Sequence, residues 1–391
     1  MRPFRRAVVV VCDGLGVGAA PDAAIFGDSH ADTLGHVISL GRAKIPNLAR
    51  LGLGNLPPTT SLARESAPSA AFGRLAEKSA GKDTATGHWE MMGLVTDVAF
   101  KLYPEGFPAG LIERFRAETG RGVLGNKAAS GTEILKELGE RHVATGDLIV
   151  YTSGDSVFQI AAHESVVPPE ELYRICRIAY TLACEQYGVC RVIARPFVGD
   201  SAATYKRTPN RRDFPVPPSG KTLLDHLDAA SLPVYGVGKI EDIFTGRGVR
   251  EAVHTVSDDD GVNHTIDALK RWPDGLIFTN LVDFDTLYGH RSDVQGYARN
   301  LEKLDARIPH LLAALGDDDV LILTGDHGCD PSDESTDHTR EFVPLVVAGR
   351  RVRAGSLGDR TSFADIAASL AENFGLDTGL PGTSFLKEVA S

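Results

Sequence analysis

Nowhere in the 391 residues is there a C-x-x-C pair; the five cysteines, Cys12, Cys176, Cys184, Cys190 and Cys329, are scattered and odd in number. That argues against a Cys-based zinc site or a disulfide framework and fits a reduced, cytoplasmic protein. No apolar run approaches the ~18–20 residues of a membrane span. The opening MRPFRRAVVVVCDG places basic residues before an apolar run, as a signal peptide does. The run is short and ends at Asp13, so it reads as a first core strand. An excess of positive charge is also missing: the net charge is −11, which argues against a general nucleic-acid binder. There is no internal repeat. Gly14, Gly16 and Gly18 make G-x-G-x-G, not the G-x-G-x-x-G of a dinucleotide site, and no acidic strand end follows at the required distance.

What is present begins with 42% apolar residues, enough for a real core, in a chain long enough for one large or two ordinary domains. The organising stretch is VLILTGDHGCD, Val320 to Asp330. Its apolar half reads as a strand covered on both faces, and such strands place ligands at their carboxyl ends. Asp326 and His327 stand at that end. Ala7 to Cys12 and Gly275 to Asp285 read as similar strands, the first running into Asp13 and the second into Asp285, with His290 five residues on. His338 follows in TDHTREF, before a further buried strand, Val343 to Ala348. Pro233 to Val237 is strand-like and ends at Gly238-Lys239. Val294 to Ala314 reads as a long helix and Thr361 to Phe374 as a closing one.

Between these core segments the texture changes. FKLYPEGFP (Phe100 to Pro108) and TPNRRDFPVPPSG (Thr208 to Gly220) are rich in breakers. They bracket helices at Leu111 to Thr119, Thr132 to Leu138 and Glu170 to Glu185, and strands at Leu148 to Thr152, Val157 to Ala162 and Arg191 to Ala194. The expectation is an α/β core with a mainly parallel sheet sandwiched by helices, formed by residues 1–97 and 216–391. A smaller α+β domain, 98–215, is inserted into it. Arg191, Arg195, Lys206, Arg207, Arg211 and Arg212 gather at the end of the insert, opposed only by Asp200 and Asp213. In an acidic chain this local reversal fits a phosphate grip, since Arg forks match phosphate oxygens; a solvated basic face is the plainer alternative. Ser153-Gly154-Asp155-Ser156, after a strand, could hold sugar hydroxyls or make a turn.

GKDTATGHWEMMG, Gly81 to Gly93, sets two hydroxyls before a helical segment expected at His88 to Met92. Thr84 or Thr86 then lies near a helix N-terminus, where free N–H groups favour anionic oxygen; an N-cap threonine is the alternative. Asp13, Asp285, His290, Asp326, His327 and His338 together make a mixed oxygen and nitrogen donor set at strand ends. Three carboxylates crowded there would repel one another without cations. The set suits Mn²⁺ or Zn²⁺ better than Mg²⁺, and six donors fit two ions better than one.

Long pieces of the chain, among them VCDGLGVGAAPDA, GKDTATGHWEMMG, ASGTEIL, YTSGDSVFQIAAHE, RVIARPFVG, NLVDFDTLYGHR, DHGCDPS and TDHTREFVPL, give it a specific likeness. It resembles the phosphopentomutases, metal-dependent mutases of the alkaline phosphatase superfamily, over nearly its whole length. The resemblance implies an alkaline-phosphatase-like core with an inserted cap and two Mn²⁺ ions. One ion falls to Asp13, Asp326 and His327, the other to Asp285, His290 and His338. Thr84 is implied as the phosphoryl carrier. Ser153, Asp155, Arg191, Arg195, Arg207 and Lys239 fall on the family's sugar-phosphate contacts. The reaction implied is the exchange of ribose 1-phosphate and ribose 5-phosphate, and of the 2-deoxyribose pair, through a phosphothreonine and a bisphosphate. A sugar bisphosphate such as glucose 1,6-bisphosphate or ribose 1,5-bisphosphate serves as activator. The partners expected are small pentose phosphates, with no nucleic acid or membrane, and the chain is read as a monomer. The rival reading is a phosphatase or related phosphoryl hydrolase with the same metals. Cys12 and Cys329 flank ligands without replacing any.

Overall fold

The computed structural model describes residues 2–58 and 62–390. The chain forms two compact units, one of residues 1–99 and 217–391, the other of residues 100–216.

The larger unit is built on an eight-stranded sheet in the order Glu251–Val253, Val234–Val237, Gly275–Leu281, Arg6–Cys12, Asp319–Thr324, Val343–Ala348, Ala71–Leu75, Gly355–Arg360. The three central strands, RAVVVVC, GLIFTNL and DVLILT, are buried at every position. They are the continuous apolar runs that a sheet covered on both faces requires. Arg6, at the start of the first, is neutralised by Asp319 beside it in register and caps the Leu269 and Trp272 carbonyls. The Val294–Ala314 helix turns Tyr297, Leu301, Leu304, Ile308 and Leu311 into the core, the i, i+4, i+7 stripe of an amphipathic helix.

Val234–Val237, Gly275–Leu281, Arg6–Cys12 and Asp319–Thr324 all pair in parallel, so their carboxyl ends share one edge. Val343–Ala348 alone runs against its neighbours on both sides. Its amino end therefore lies at that same edge. This reversal lets His338, which precedes a strand, meet residues that follow strands.

The smaller unit has its own sheet, in the order Val123–Ala128, Leu148–Thr152, Val157–His163, Arg191–Val198, Lys206–Arg207, with Arg212–Pro215 also paired to Arg191–Val198. One face packs Phe107, Phe115, Phe158, Leu172 and Ile175. The other packs Ile134, Leu135, Tyr151 and Phe197. Two separate apolar layers on one sheet are what a unit with its own core needs. The helix expected at 170–185 is α-helical from Pro169 to Ala179, then passes through a π turn, Tyr180–Cys184. Among the described residues no helix is long and apolar enough to cross a membrane.

Candidate active site

The Asp13, Asp285, Asp326 and His327 side chains follow the three central strands, and all four are buried. His338 is buried and His290 half-buried. The Asp13, Asp326 and His327 donor atoms lie within 4.8 Å of one another, as do those of Asp285, His327 and His338. His290 Nε2 is 3.4 Å from Asp285 Oδ1 and 3.2 Å from His338 Nε2, and His338 Nε2 is 3.3 Å from Asp285 Oδ1. All six residues thus come together in the larger unit, with His327 within reach of both groups.

Main-chain carbonyls fix the imidazoles. His290 Nδ1 donates to the Thr336 carbonyl at 2.6 Å and His327 Nδ1 to the Gly328 carbonyl at 3.0 Å. Each ring's Nε2 then carries the lone pair, the arrangement usual for a metal-ligating histidine. Two such lone pairs and three carboxylates facing one another make a cluster short of positive charge. Among the described residues, Asp285 Oδ1 and Asp326 Oδ2 are buried without a hydrogen bond. His88 Nδ1 comes within 3.2 Å of Asp326 Oδ2, but it has one proton, and the Thr84 carbonyl at 2.9 Å is the nearer acceptor.

The charge balance reflects this crowding. Burial would raise the Asp285 carboxyl, but His290, His338 and His327 hold it far below the usual carboxylate range. Asp326 is likewise held down against burial, by His327 and His88. Burial disfavours a charged His327, yet Asp326, Asp13 and Asp285 push its affinity for a proton well up. Without another cation, protons on the imidazoles balance the acids. Divalent ions fit this mixed oxygen and nitrogen donor set.

Thr84 is the first residue of the Thr84–Met91 helix, four residues earlier than the expected start. Its Oγ1 is 3.3 Å from Asp13 Oδ1 and 3.2 Å from His327 Nε2. Thr86 is buried and closes a capping box with Asp83. The geometry separates two hydroxyls that spacing alone left equivalent: Thr86 caps, and Thr84 stands at the cluster. One expectation needs revising. The amides of Ala85 and Thr86 are not free for an anionic ligand, because both donate to Asp83 Oδ1 at 3.1 Å.

Sequence reasoning passed over Asn280 and His88. Asn280 Nδ2 donates to Asp13 Oδ2 at 2.8 Å and approaches His88 Nε2 at 3.3 Å. A buried amide inside GLIFTNL was the available signal. Gly14 N donates to Asp326 Oδ1 at 3.0 Å, and the Tyr297 hydroxyl donates to the Gly14 carbonyl at 3.0 Å, bracing the turn after Asp13.

Lys239 follows the Val234–Val237 strand at the shared edge, half-buried. The other five expected contacts lie in the smaller unit. Arg191 pairs with Asp155 at 3.3 Å. Arg195 bonds Gln159 at 3.0 Å, and burial, with Arg211 nearby, lowers its guanidinium to about 10. Arg207 approaches the Tyr151 hydroxyl at 3.3 Å, and Ser153 is half-buried just past Leu148–Thr152. Arg211 is taken up by Asp213, and Arg212 lies over Tyr173 and Phe214, so these two of the six basic residues serve local structure.

An α/β sheet with acids and imidazoles gathered at one edge defines a metalloenzyme, and the profile of the Metalloenzyme superfamily matches residues 5–378. The phosphoglycerate mutase of Leishmania mexicana shares the fold, with a TM-score of 0.51, 14% identity and 98% of each chain covered. The phosphopentomutase of Caldanaerobacter subterraneus subsp. tengcongensis is 53% identical over 99% of this chain and 98% of its own. That of Acetivibrio thermocellus is 52% identical over 99% and 100%. Within the superfamily, the chain belongs to the phosphopentomutase family.

Proposed function

We propose that the chain is an isomerase that interconverts ribose 1-phosphate and ribose 5-phosphate, and the 2-deoxyribose pair, with Thr84 as the phosphoryl carrier. The observation that supports this reading most is the Thr84 hydroxyl, placed between Asp13 and His327 at the mouth of a donor cluster.

Asp13, Asp326 and His327 would hold one Mn²⁺ and Asp285, His290 and His338 the other. Ions held there would offset charge on the transferring phosphoryl group and would lower the cost of deprotonating a hydroxyl. Thr84 gives its phosphoryl group to the free hydroxyl of the bound monophosphate. The bisphosphate so formed presents its other end, and Thr84 attacks it to recover the group. A sugar bisphosphate activator primes Thr84. Asn280 orients Asp13 through the bond to Oδ2. Ser153, Asp155, Arg191, Arg195 and Arg207 of the smaller unit, and Lys239 of the larger, are the residues offered as sugar-phosphate contacts, and such contacts exclude water. Exclusion matters because water in place of sugar would release phosphate.

The test is turnover of ribose 1-phosphate with Mn²⁺ and a trace of glucose 1,6-bisphosphate. Pentose 5-phosphate should accumulate with almost no inorganic phosphate; stoichiometric phosphate instead would make the chain a hydrolase. A second expectation concerns Asn280. Asn280→Ala removes the donor to Asp13 and should weaken Mn²⁺ binding by about 10–100-fold, the usual cost of losing an outer hydrogen bond to a ligand. Calorimetric Mn²⁺ titration of the two proteins checks it.

A further inference from the structure

Cys329, two residues past His327, has no part in the chemistry above. Its Sγ, a nitrogen of His290 and a carboxylate oxygen of Asp285 all lie within 4.8 Å of one another. Cys329 is 1% exposed. Asp285 is 4% exposed, and among the described residues its Oδ1 faces the His290 and His338 Nε2 atoms at 3.4 and 3.3 Å without a hydrogen bond. Two glycines make room for the thiol. A Cβ on Gly289 would come within 2.5 Å of Sγ, and one on Gly14 within 2.9 Å of the Cys329 Cβ. The backbone beside it is fixed by the paired bonds between Gly328 and Thr339, 3.0 and 2.8 Å. The other cysteines are placed differently. Cys12 packs in the apolar core, and Cys176, Cys184 and Cys190 belong to the smaller unit.

We infer that Cys329 is a further donor to the ion held by Asp285, His290 and His338, making that position selective for thiophilic divalent cations such as Zn²⁺, Co²⁺ and Cd²⁺. The inference rests on the cation reading given under the proposed function. Sulfur joins one carboxylate and two imidazoles in a set that suits these ions and gives the harder Mn²⁺ and Mg²⁺ no comparable gain. On binding, the thiol proton passes to solvent and the sulfur lone pair forms the bond to the ion. The Asp13, Asp326 and His327 group has no sulfur among its donors. The two positions should therefore differ in metal preference.

The test loads the metal-stripped full chain with Co²⁺ and records its absorption. A thiolate-to-cobalt charge-transfer band in the near ultraviolet is expected. It should vanish in Cys329→Ser, which still binds Co²⁺, and persist in Cys12→Ser. The preference for Zn²⁺ over Mn²⁺ at that position should fall at least about tenfold in Cys329→Ser. X-ray absorption of the unmodified Co²⁺ protein should find sulfur bonded to cobalt, and it decides the matter even where the variant fails to fold. Bound Co²⁺ without the band or the sulfur, or a band that survives Cys329→Ser, overturns the inference and leaves the cation reading intact. No Co²⁺ or Mn²⁺ binding at all overturns both.

Discussion

Thr84→Ala is expected to lose mutase turnover by at least about a thousandfold, the scale seen when a covalent nucleophile is removed. The side chain is half-buried at the first position of its helix, where alanine is well tolerated, so the fold should persist. The loss should therefore be chemical. Thr84→Ser keeps a hydroxyl at the same place and should retain measurable turnover. Labelling separates the role from a merely local one. Phosphorus-labelled glucose 1,6-bisphosphate should mark the unmodified chain on Thr84 and leave Thr84→Ala unmarked. Label on another residue, or undiminished activity in the alanine variant, would remove Thr84 from the reaction.

Stripping divalent ions with a chelator should have the second large effect, and on two properties at once. Activity should fall to background. Thermal stability should fall too, because Asp13, Asp285 and Asp326 are then left crowded with only imidazole protons to offset them. Mn²⁺ at about a hundred times its dissociation constant contributes about 2.7 kcal/mol per site, so the melting temperature should rise with free Mn²⁺. To take a cation, the His327 nitrogen must be free of its proton, and the surrounding carboxylates push its proton affinity up. Mn²⁺ binding should accordingly strengthen as pH rises. Melting curves and turnover measured across Mn²⁺ concentration and pH check all three statements; indifference to chelation would defeat the cation reading.

The parts legible in the sequence were those where one physical signal dominates. AVVVVC, VLILT and VPLVVA read as buried strands because short continuous apolar runs rich in Val and Ile have few alternatives, and all three lie in the sheet. Val294–Ala314 has the bounds its apolar stripe suggested. Ala71–Leu75 and Gly355–Arg360 passed unnoticed. The first carries Gly73 and Arg74, and the second is an edge strand, GSLGDR, with a bulge and little apolar surface. Val123–Ala128 was hidden by Gly125 and Asn126, both at positive φ where its register shifts. The helix after Asp83 was expected too late because an acidic N-cap with a hydroxyl three residues on was not given its weight. At the candidate site, donors at strand ends were readable, since each follows a strong strand. Asn280 was not, because what marks it is its contact with Asp13, a partner 267 positions away.

Glu90 lies near the far end of the short helix that begins at Thr84, and it is fully buried. It accepts from the backbone of Lys78, Ser79 and Phe363 and from the Ser362 hydroxyl. Together these anchors fix the pitch and depth of a rod only two turns long, whose opposite tip bears the Thr84 hydroxyl. Loss of the Ser362 hydroxyl, 272 positions from Glu90, removes one of the anchors that set this tip. A substitution in the carboxyl-terminal tenth of the chain could mimic an active-site lesion while touching neither substrate nor ion.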